Sequence, residues 1–268
     1  MDWGATLAKL ALRRPDGSIE YRLLETEDGD ASRAALAALG ARRIGLTGGG
    51  AVRLARSLVG EVAQVNEFAA WGTGAAALLA EAGRDGVQRY LLVSVGTGTS
   101  ILLVDGVSVS RVGGTALGGG TLLGLGAGLL GTSDFTEIAN LASRGSRREI
   151  DLLVSDIYPA GGIALAGDLT ASNFGKYARR YRDGAPLAPA DVAHAIMGLI
   201  AENVALICSG VAANVQATRV VFGGSTLREN PALADLLGHF LRAFGRDPVF
   251  LPHGEFAGAL GALRIAAG

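Results

Sequence analysis

The pattern of apolar and polar positions repeats along the chain as two units of the same order. The first unit spans residues 2–26 and the second spans residues 91–112, and in each a strand and a glycine-containing loop accompany a hairpin. Turn residues mark both hairpins, Pro15-Asp16-Gly17 in the first and Asp105-Gly106 in the second. This weak internal duplication predicts two similar lobes, and because no linker rich in proline and serine separates them, we expect them to pack closely.

Apolar residues at helical spacing predict several helices, one of which is long enough to raise the question of a membrane span. The predicted helices cover residues 31–39, 51–59, 69–81, 121–130, 134–144, 190–217, 230–244 and 255–267. The stretch 192–215 is apolar, but it carries His194, Glu202 and Asn203, and such groups are costly in hydrocarbon. We therefore interpret it as a buried core helix.

Composition and charge narrow the class of protein. The 268 residues are enough for one large domain or two lobes, and 49% of them are apolar, which excludes a disordered chain. The 24 basic and 25 acidic residues nearly cancel, so we expect no nucleic-acid partner. A single cysteine excludes a disulfide framework and a cysteine-cluster metal site. With no signal peptide visible, we expect a cytoplasmic protein and no membrane partner.

Glycine is unusually abundant, with 41 residues, and its clusters lie where a phosphate could bind. Three clusters follow predicted strands, at Gly4-Ala5-Thr6, at residues 96–100 and at Gly223-Gly224-Ser225, and Gly118-Gly119-Gly120 precedes a helix. Backbone N–H groups cradle phosphate only where no Cβ obstructs the approach, and a helix N-terminus adds free donors. Any one cluster is better explained as a tight turn, but their recurrence at strand ends beside hydroxyl residues favours phosphate binding.

The order of the loops selects among the phosphate-binding folds. A P-loop is absent, and Gly96-x-Gly98 lacks the third glycine of a dinucleotide-binding fingerprint. An Asp-x-Gly-x-Thr segment at residues 2–6, a second Gly-Thr-Gly hairpin and a later Gly-Gly loop follow the order typical of actin-like kinases. The predicted fold is α/β, an actin-like two-lobed kinase fold with duplicated ribonuclease H-like lobes, at residues 1–88 and 89–268.

Together these motifs resemble those of the type II pantothenate kinases over nearly the whole chain. The matching segments are residues 2–9, 46–49, 66–68, 95–100, 111–114, 118–120 and 167–175. Segment 167–175 is the most distinctive, because actin-like sugar kinases do not share it. The resemblance implies ATP-dependent phosphorylation of pantothenate, the first step of coenzyme A biosynthesis, with ATP and Mg²⁺ as cofactors.

The resemblance also gives several residues a role on the substrate side. Glu67 matches the family's general base, which takes the proton of the primary hydroxyl as it attacks the γ-phosphate. Arg111 matches the substrate-side arginine, and Thr97, Ser100 and Tyr158 match positions that contact substrate or phosphate. The residues themselves leave alternatives open. Glu67 also suits the N-terminus of the helix near residue 69. Arg111 could equally be an exposed residue at the end of a strand, and Tyr158 could be a core residue.

On the nucleotide side, the resemblance implies contacts from both glycine loops and from positions farther along. The implied residues are Asp2, Gly4, Ala5, Thr6, Lys9, Thr97, Gly118, Gly119, Gly120, Thr121, Leu122, Phe135 and Ser225, and Asp2 is implied to hold Mg²⁺ through water. Trp3 and Ala5 depart from the family pattern, which has a small residue and a glycine there. From the bulk of tryptophan and the restricted φ of alanine, we expect weaker contact between this loop and phosphate.

The family further implies a homodimer, formed through the long apolar helices after residue 190, and a second lobe with the pantothenate and adenosine sites. Coenzyme A thioesters are the candidate inhibitors. Two other functions stay open: a non-catalytic or weakly active regulatory relative, and an actin-like kinase for another small hydroxylated substrate. Glu67, loop 96–100 and Arg111 favour the enzyme over the first, and segment 167–175 argues against the second.

Overall fold

The structure, a computed structural model, describes the chain except for residues 27–33, 35–37, 39, 42, 59, 159–161 and 163–165. The helix predicted for residues 31–39 therefore lies largely outside the described residues. The strands are β1 (Asp2–Trp3), β2 (Leu7–Arg13), β3 (Ile19–Glu25), β4 (Arg43–Leu46), β5 (Glu61–Gln64), β6 (Arg89–Val95), β7 (Thr99–Asp105), β8 (Ser108–Thr115), β9 (Leu152–Leu153), β10 (Thr170–Ser172), β11 (Arg219–Gly223) and β12 (Asp247–Phe250). The α-helices are α1 (Ala51–Ala55), α2 (Glu67–Glu81), α3 (Gly119–Leu130), α4 (Phe135–Ala142), α5 (Val154–Ile157), α6 (Tyr177–Arg182), α7 (Pro189–Asn214), α8 (Pro231–Ala243) and α9 (Ala257–Ala267).

The first part of the chain builds a thin sheet, called here the first sheet, with the strand order β3-β2-β1-β4-β5. Strands β1, β2 and β3 pair antiparallel, and β4 pairs with β5 in parallel. A single parallel bridge between Asp2 and Thr47 joins these two parts. In it the Trp3 N–H donates to the Thr47 carbonyl at 2.8 Å, and the Thr47 N–H donates to the Met1 carbonyl at 2.9 Å.

The second sheet has five continuously paired strands in the order β12-β11-β6-β7-β8. Strands β6, β7 and β8 form an antiparallel meander, while β11 runs parallel to β6 and β12 runs parallel to β11. Read from the side of the hairpin, the order is β3-β2-β1-β4-β5 in the first sheet and β8-β7-β6-β11-β12 in the second. In both sheets the first three strands are antiparallel and the last two run parallel to the third. This topology confirms the internal duplication predicted from the sequence.

The main apolar core lies against the second sheet and is built around α7. This helix is long and apolar enough to cross a membrane by length and composition alone, yet 56% of its most apolar window is buried inside the protein. Ile196, Ile200 and Val204 of α7 are fully buried with residues of β6 and α8. The interpretation of this segment as a core helix is confirmed.

The last helix, α9, crosses back onto the first sheet and packs against α2. Glycines make the crossing close, since a Cβ on Gly74 would lie 1.8 Å from the Ala257 carbonyl oxygen. A Cβ on Gly261 would lie 1.7 Å from the Ala70 carbonyl oxygen. Any larger residue at these two positions would force the helices apart. Small residues therefore hold α2, and with it Glu67, at a fixed place beside the first sheet.

Some element ends differ from the prediction for local reasons. Helix α4 begins one residue later than the predicted helix 134–144, because Asp134 is its cap and the Asp134 carboxylate accepts the Glu137 N–H at 2.8 Å. Asn230, the first residue of the predicted helix 230–244, is the cap of α8, because its side chain accepts the Leu233 N–H at 3.3 Å. Helix α3 begins at Gly119, earlier than the predicted Thr121, so the glycine cluster is itself part of the helix.

Candidate active site

A polar cleft of about 160 Å³ lies where the first loop, the second loop and the N-terminus of α2 meet. It is lined by Asp2, Gly4, Ala5, Thr6, Leu7, Lys9, Gly48, Gly49, Glu67, Trp71, Ser94, Gly96, Thr97 and Ser225. The hydroxyl oxygens of Thr6 and Thr97 are 3.3 Å apart, so the two loops touch across the cleft. The structure thus brings together two loops that are predicted to bind phosphate and that lie about ninety residues apart in the sequence.

The first loop is a tight turn between β1 and β2. The Gly4 N–H donates to the Leu7 carbonyl at 3.1 Å, and a Cβ on Gly4 would lie 2.9 Å from that same oxygen. The Lys9 ammonium would be 3.0 Å from such a Cβ, so this cation lies directly over the loop. Thr26 fixes the loop from the neighbouring strand end, since its hydroxyl donates to the Ala5 carbonyl at 2.9 Å. Glycine is required here for the close approach of the Leu7 carbonyl and the Lys9 ammonium.

The structure contradicts both reasons for expecting that Trp3 and Ala5 weaken the contact of this loop with phosphate. Successive residues of a strand point to opposite faces, so Asp2 faces the cleft and Trp3 faces away from it. The Trp3 ring is buried in a small core with Leu46 and covers Gly50, on which a Cβ would lie 2.1 Å from Trp3 Cδ1. Ala5 is not among the residues with positive φ, so its backbone conformation suits alanine.

The second loop is held from two sides by hydrogen bonds to its carbonyl oxygens. The Gly119 N–H donates to Gly96 at 2.8 Å, and the Gly120 N–H donates to Thr97 at 2.9 Å. The Thr226 hydroxyl also donates to Gly96, at 2.8 Å. The prediction that the start of α3 offers free donors to phosphate is therefore wrong at Gly119 and Gly120. These two N–H groups fix the second loop instead.

The other residues predicted on the nucleotide side are spread more widely. Ser225 lines the cleft, whereas the Thr121 hydroxyl donates to the Ala116 carbonyl at 3.3 Å. Leu122 is fully buried in the main core and its N–H donates to the Gly118 carbonyl, so the structure does not place it in the cleft. Phe135 is half-buried at the start of α4, against the main core and outside the cleft lining.

Asp2 is held in a buried position between two glycines. A Cβ on Gly48 would lie 2.5 Å from Asp2 Oδ1, and a Cβ on Gly258 would lie 2.7 Å from Asp2 Oδ2. Burial raises the pKa of Asp2, while the positive charges of Lys9 and the Met1 amino group act in the opposite direction. The carboxylate is therefore packed closely against the backbone on both sides.

Glu67 is the first residue of α2, and it does not cap the helix. The Asn66 side chain accepts the N–H groups of Phe68 and Ala69, at 3.0 and 3.1 Å, and so fills the cap position. This assignment removes the alternative in which Glu67 itself caps the helix. Its carboxylate is left at the mouth of the cleft, on the same side as Asp2 and Lys9.

The surroundings of Glu67 change its acidity. Desolvation by the crowded cleft raises the pKa of Glu67 above its ordinary value, and the negative charge of Asp2 raises it further. Lys9 lowers it, but by less than the first cause raises it. A carboxylate with a raised pKa is a better proton acceptor near neutral pH than an ordinary surface glutamate.

Several polar side chains of the cleft have no partner within the part of the chain that the structure describes. The side chains of Lys9, Glu67 and Ser94 make no hydrogen bond or ion pair with another described residue. Glu67 is exposed, and Lys9 and Ser94 are half-buried, so all three side chains are open to whatever enters the cleft. These free groups are therefore available to a polar, charged ligand.

Ser100 and Arg111 lie beside the cleft, outside the set of residues that line it. Ser100 pairs with Ser94 on β6 and with Gly114 on β8. A bulge in β8 places Arg111 opposite Leu102 on β7. The Arg111 guanidinium folds over Gly114, on which a Cβ would lie 2.7 Å from Arg111 Nη2. Gly114 thus leaves room for the Arg111 side chain to reach toward Ser100.

Comparison with known proteins gives the family. The family model described as Fumble matches residues 23–264. The type II pantothenate kinase of Staphylococcus haemolyticus is 34% identical over 265 residues, which cover 99% of this chain and 98% of the relative. That of Bacillus cereus is 34% identical over 228 residues, which cover 84% of this chain and 81% of the relative. The chain belongs to the type II pantothenate kinase family.

Solved structures that resemble this type II pantothenate kinase family member share its fold. The activator of 2-hydroxyisocaproyl-CoA dehydratase from Clostridium difficile, with bound ADPNP, has a TM-score of 0.64 at 16% identity and covers 99% of this chain and 92% of its own. A ROK family glucokinase from Streptomyces griseus, in complex with glucose and AMPPNP, has a TM-score of 0.59 at 14% identity and covers 99% of this chain and 97% of its own. The predicted actin-like two-lobed α/β fold is confirmed.

Residues 167–175, predicted from the sequence to be the most distinctive matching segment, lie outside the lining of the cleft and are tied to the main core. Arg147 is buried and donates to the Asp168 carbonyl and to the Thr170 hydroxyl. Asp151 is fully buried, 3.4 Å from the Arg147 guanidinium, and accepts the Phe174 N–H at 2.8 Å. The segment is thus shaped by a buried ionic network. Tyr158, predicted on the substrate side, is 43% exposed at the end of α5 and does not line the cleft.

No role in the site was predicted for Leu7, Gly48, Gly49, Trp71 or Ser94, which also line the cleft, although Leu7, Gly48 and Gly49 lie in segments that match the family. Trp71 lies one turn after Glu67 on α2, a spacing that could have placed both on the same helix face. Ser94 gave a signal as well, because it is the one polar residue in an apolar run from Tyr90 to Val95. Gly48 has φ +93°, which marks the close approach of this loop to Asp2.

Proposed function

We propose that this protein transfers the γ-phosphoryl group of ATP to the primary hydroxyl of pantothenate. The product is 4'-phosphopantothenate, and the reaction is the first step of coenzyme A biosynthesis. The observation that carries this proposal is the Glu67 carboxylate. It has a raised pKa, Asn66 relieves it of helix capping, and it faces a cleft between two glycine loops in a chain of the type II pantothenate kinase family.

Glu67 acts as the general base. The primary alcohol attacks the γ-phosphorus, its proton passes to a Glu67 carboxylate oxygen, and the bond from phosphorus to the bridging oxygen breaks to release ADP. The raised pKa supports this role, because a carboxylate with an ordinary pKa takes up a proton less readily. The fixed position of α2 against α9 supports it as well, since general base catalysis depends on geometry.

The two loops hold the phosphates of ATP. Lys9 lies over the first loop as an unpaired cation, and the hydroxyls of Thr6 and Thr97 face each other across the cleft. Ser225 approaches the same cleft from the loop after β11 and marks the side on which we place the nucleoside. Gly118, Gly119 and Gly120 act indirectly, by holding the second loop through its carbonyls.

Asp2 is the residue we assign to Mg²⁺, through a bound water. Among the described residues no group of three histidine, cysteine or acidic side chains is placed to hold a metal, which excludes an all-protein cage in that part of the chain. Mg²⁺ commonly takes one or two carboxylates together with water and substrate phosphates, and the single buried Asp2 carboxylate fits this pattern. When bound, the ion neutralises charge on the phosphates.

Arg111 and Ser100 form the substrate side in this proposal. The Arg111 guanidinium, folded over Gly114, is placed to meet oxygens of pantothenate or of the transferring group. Tyr158 remains a predicted contact on the substrate side; its side chain is exposed and lies outside the lining of the cleft.

We also propose the wider organisation implied by the family. Residues 1–88 form the nucleotide-phosphate lobe, and residues 89–268 form the lobe with the pantothenate and adenosine sites, from which α9 returns to pack on the first sheet. The protein forms a homodimer through α7, on which Leu206 is 57% exposed. Coenzyme A thioesters inhibit it. It works in the cytoplasm without a nucleic-acid or membrane partner, in keeping with its balanced charge.

A coupled ADP-release assay with pantothenate and with a panel of sugars tests the function. We expect ADP release only with pantothenate, together with a product heavier by one phosphoryl group in mass spectrometry. Release with a sugar and not with pantothenate would assign another acceptor. Pantothenate binding by calorimetry with no release of ADP would indicate a non-catalytic relative.

A further inference from the structure

Ser94 is a polar residue on the floor of the cleft that has no role in the steps described above. It lies two residues before Gly96 in β6, and the other residues from Tyr90 to Val95 are apolar. It lines the cleft together with Glu67 and Thr97. The Ser94 side chain is half-buried in the cleft wall, so its hydroxyl is open to a ligand that enters the cleft.

The sheet register shows which way Ser94 points. Leu92, two residues earlier on the same face, packs in the apolar cluster that contains Trp71 of α2. Ser94 therefore projects toward α2, on the side that carries Glu67. Its direct neighbours are Gly223 on β11 and Ser100 on β7.

These neighbours leave the Ser94 hydroxyl uncovered. Gly223 has no side chain to lie over it, and Ser100 offers a second hydroxyl on the same face. Neither hydroxyl makes a hydrogen bond to another residue within the described part of the chain. Directly opposite residues have Cβ atoms about 4.5–5.5 Å apart. The sheet thus presents two free, uncharged hydroxyls side by side.

Charge decides what such a pair can bind. The charged groups of the site are already matched, Lys9 to phosphate and Glu67 to the proton of the reacting hydroxyl. Pantothenate carries a second, non-reacting hydroxyl, separated from the carbon of the reacting one by a single quaternary carbon. Glu67 and Ser94 line the same cleft, so an acceptor whose primary hydroxyl is at Glu67 can present its secondary hydroxyl to the strand. An uncharged donor and acceptor is the partner that an uncharged alcohol requires.

We infer that Ser94 binds the secondary hydroxyl of the acceptor and thereby selects dihydroxylated substrates over their deoxy analogues. This inference rests on the proposed pantothenate kinase function. A site that hydrogen-bonds a substrate hydroxyl disfavours the analogue lacking it, because the protein group is then left unpaired. Ser94 is thus a specificity-determining residue, and Ser100 is its neighbour in the same hydroxyl pair.

The test compares two acceptors, pantothenate and its analogue with hydrogen in place of the secondary hydroxyl. Steady-state kinetics are measured for the wild type, Ser94→Ala, Ser94→Thr and the control Ser110→Ala, which alters an exposed serine on β8 of the same sheet. We expect Ser94→Ala to lower kcat/KM for pantothenate about three- to tenfold, mainly through KM, and to leave the analogue unchanged. Ser94→Thr, which keeps the hydroxyl, should retain the preference for pantothenate, and Ser110→Ala should match the wild type.

An equal loss with both acceptors, or unchanged kinetics in Ser94→Ala, would overturn the inference. A rise in the KM for ATP with no change for pantothenate would assign Ser94 to the nucleotide and overturn it as well. Thermal melts of all variants establish that the fold is kept. The wild-type reaction separates the two proposals, because absence of turnover with pantothenate rejects the proposed function before any Ser94 variant is considered.

Discussion

The two sheets have the same topology but are built with very different strength. In the first sheet a single bridge between Asp2 and Thr47 joins the antiparallel and parallel parts, and a small apolar cluster around Trp3 supports them. In the second sheet all five strands pair continuously against a large core centred on α7. The two copies of the duplicated unit therefore share a strand order, but the second sheet contains most of the apolar packing.

The first and second loops also differ, both in how firmly the protein holds them and in the charge around them. The first loop is exposed at Ala5 and Thr6, and the charged residues Asp2, Lys9 and Glu67 gather around it. The second loop is held by Thr226 and by the start of α3, and it contributes only neutral groups. The charged groups of the site thus lie on the lightly built half, while the strongly packed half supplies a rigid, uncharged wall.

The largest effect is expected from Glu67→Gln, which removes the proton acceptor from the lightly built half. An amide keeps the shape but takes up no proton, so kcat should fall by about 10²–10⁴ while ATP-analogue binding stays nearly intact. Steady-state kinetics and calorimetry check both parts. Glu81→Gln, at the other end of the same helix, is the matched control and should be nearly silent. Near wild-type turnover in Glu67→Gln would remove Glu67 from the mechanism.

Trp3→Ala tests the assignment of Trp3 to the core of the first sheet. Removing a buried indole should cost about 3–5 kcal/mol of unfolding free energy, because the small cluster around Leu46 has little else to fill the cavity. Denaturant unfolding measures this loss, and Val107→Ala at an exposed hairpin tip provides the control. Tighter binding of an ATP analogue by Trp3→Ala would show instead that the ring obstructs the phosphate site.

Arg111→Lys tests the contribution of the second sheet to the substrate side. The planar guanidinium holds two oxygens at once, whereas lysine offers a single point charge. A charge-assisted hydrogen bond contributes about 1.5–3 kcal/mol, so kcat/KM for pantothenate should fall about ten- to a hundredfold. Arg13→Lys, at an exposed strand end of the first sheet, should leave it unchanged. A stable Arg111→Lys protein with wild-type kinetics would refute the substrate role.

The smallest effect is a shift along the pH axis. Burial and then the Asp2 charge raise the pKa of Glu67, so the acid limb of kcat/KM should lie above the ordinary glutamate range. Below that limb Glu67 is protonated and no longer accepts a proton. Asp2→Asn removes the repulsive charge, lowers the pKa of Glu67 and should move the limb to lower pH, whatever it does to the maximal rate. Asp16→Asn, in an exposed turn, should leave the limb in place, and an unmoved limb in Asp2→Asn would show that the two carboxylates do not interact.

The sequence predicted the parts of the site that depend on local chemistry. Gly4 and Gly96 lie at tight loops as expected, and the duplicated hairpins identified the fold. The sequence alone could not decide whether Asn66 or Glu67 caps α2, because both residue types are favoured at the start of a helix. The structure decides by placing the Asn66 oxygen 3.0 and 3.1 Å from two backbone N–H groups.

The predictions that were wrong concerned contacts between distant parts of the chain. The direction of Trp3 is set by the pairing of β1 with Thr47, and the donors of Gly119 and Gly120 are taken up by a loop twenty-odd residues earlier. Neither partner can be identified from local sequence. Ser94 belongs to the same class, since its neighbours come from β7 and β11.

The return of α9 to the first sheet has a consequence for synthesis on the ribosome. Arg264 of α9 donates to Glu81 of α2 at 3.4 Å, across 183 positions of the chain. At elongation rates of about 5–20 residues per second, roughly ten to forty seconds pass between the synthesis of Glu81 and the synthesis of Arg264. Throughout that interval the glycine-lined face of α2 lacks its partner. The cleft, whose wall is α2, is therefore completed only after the second sheet has emerged, and the half that carries the charged groups is the last to be finished.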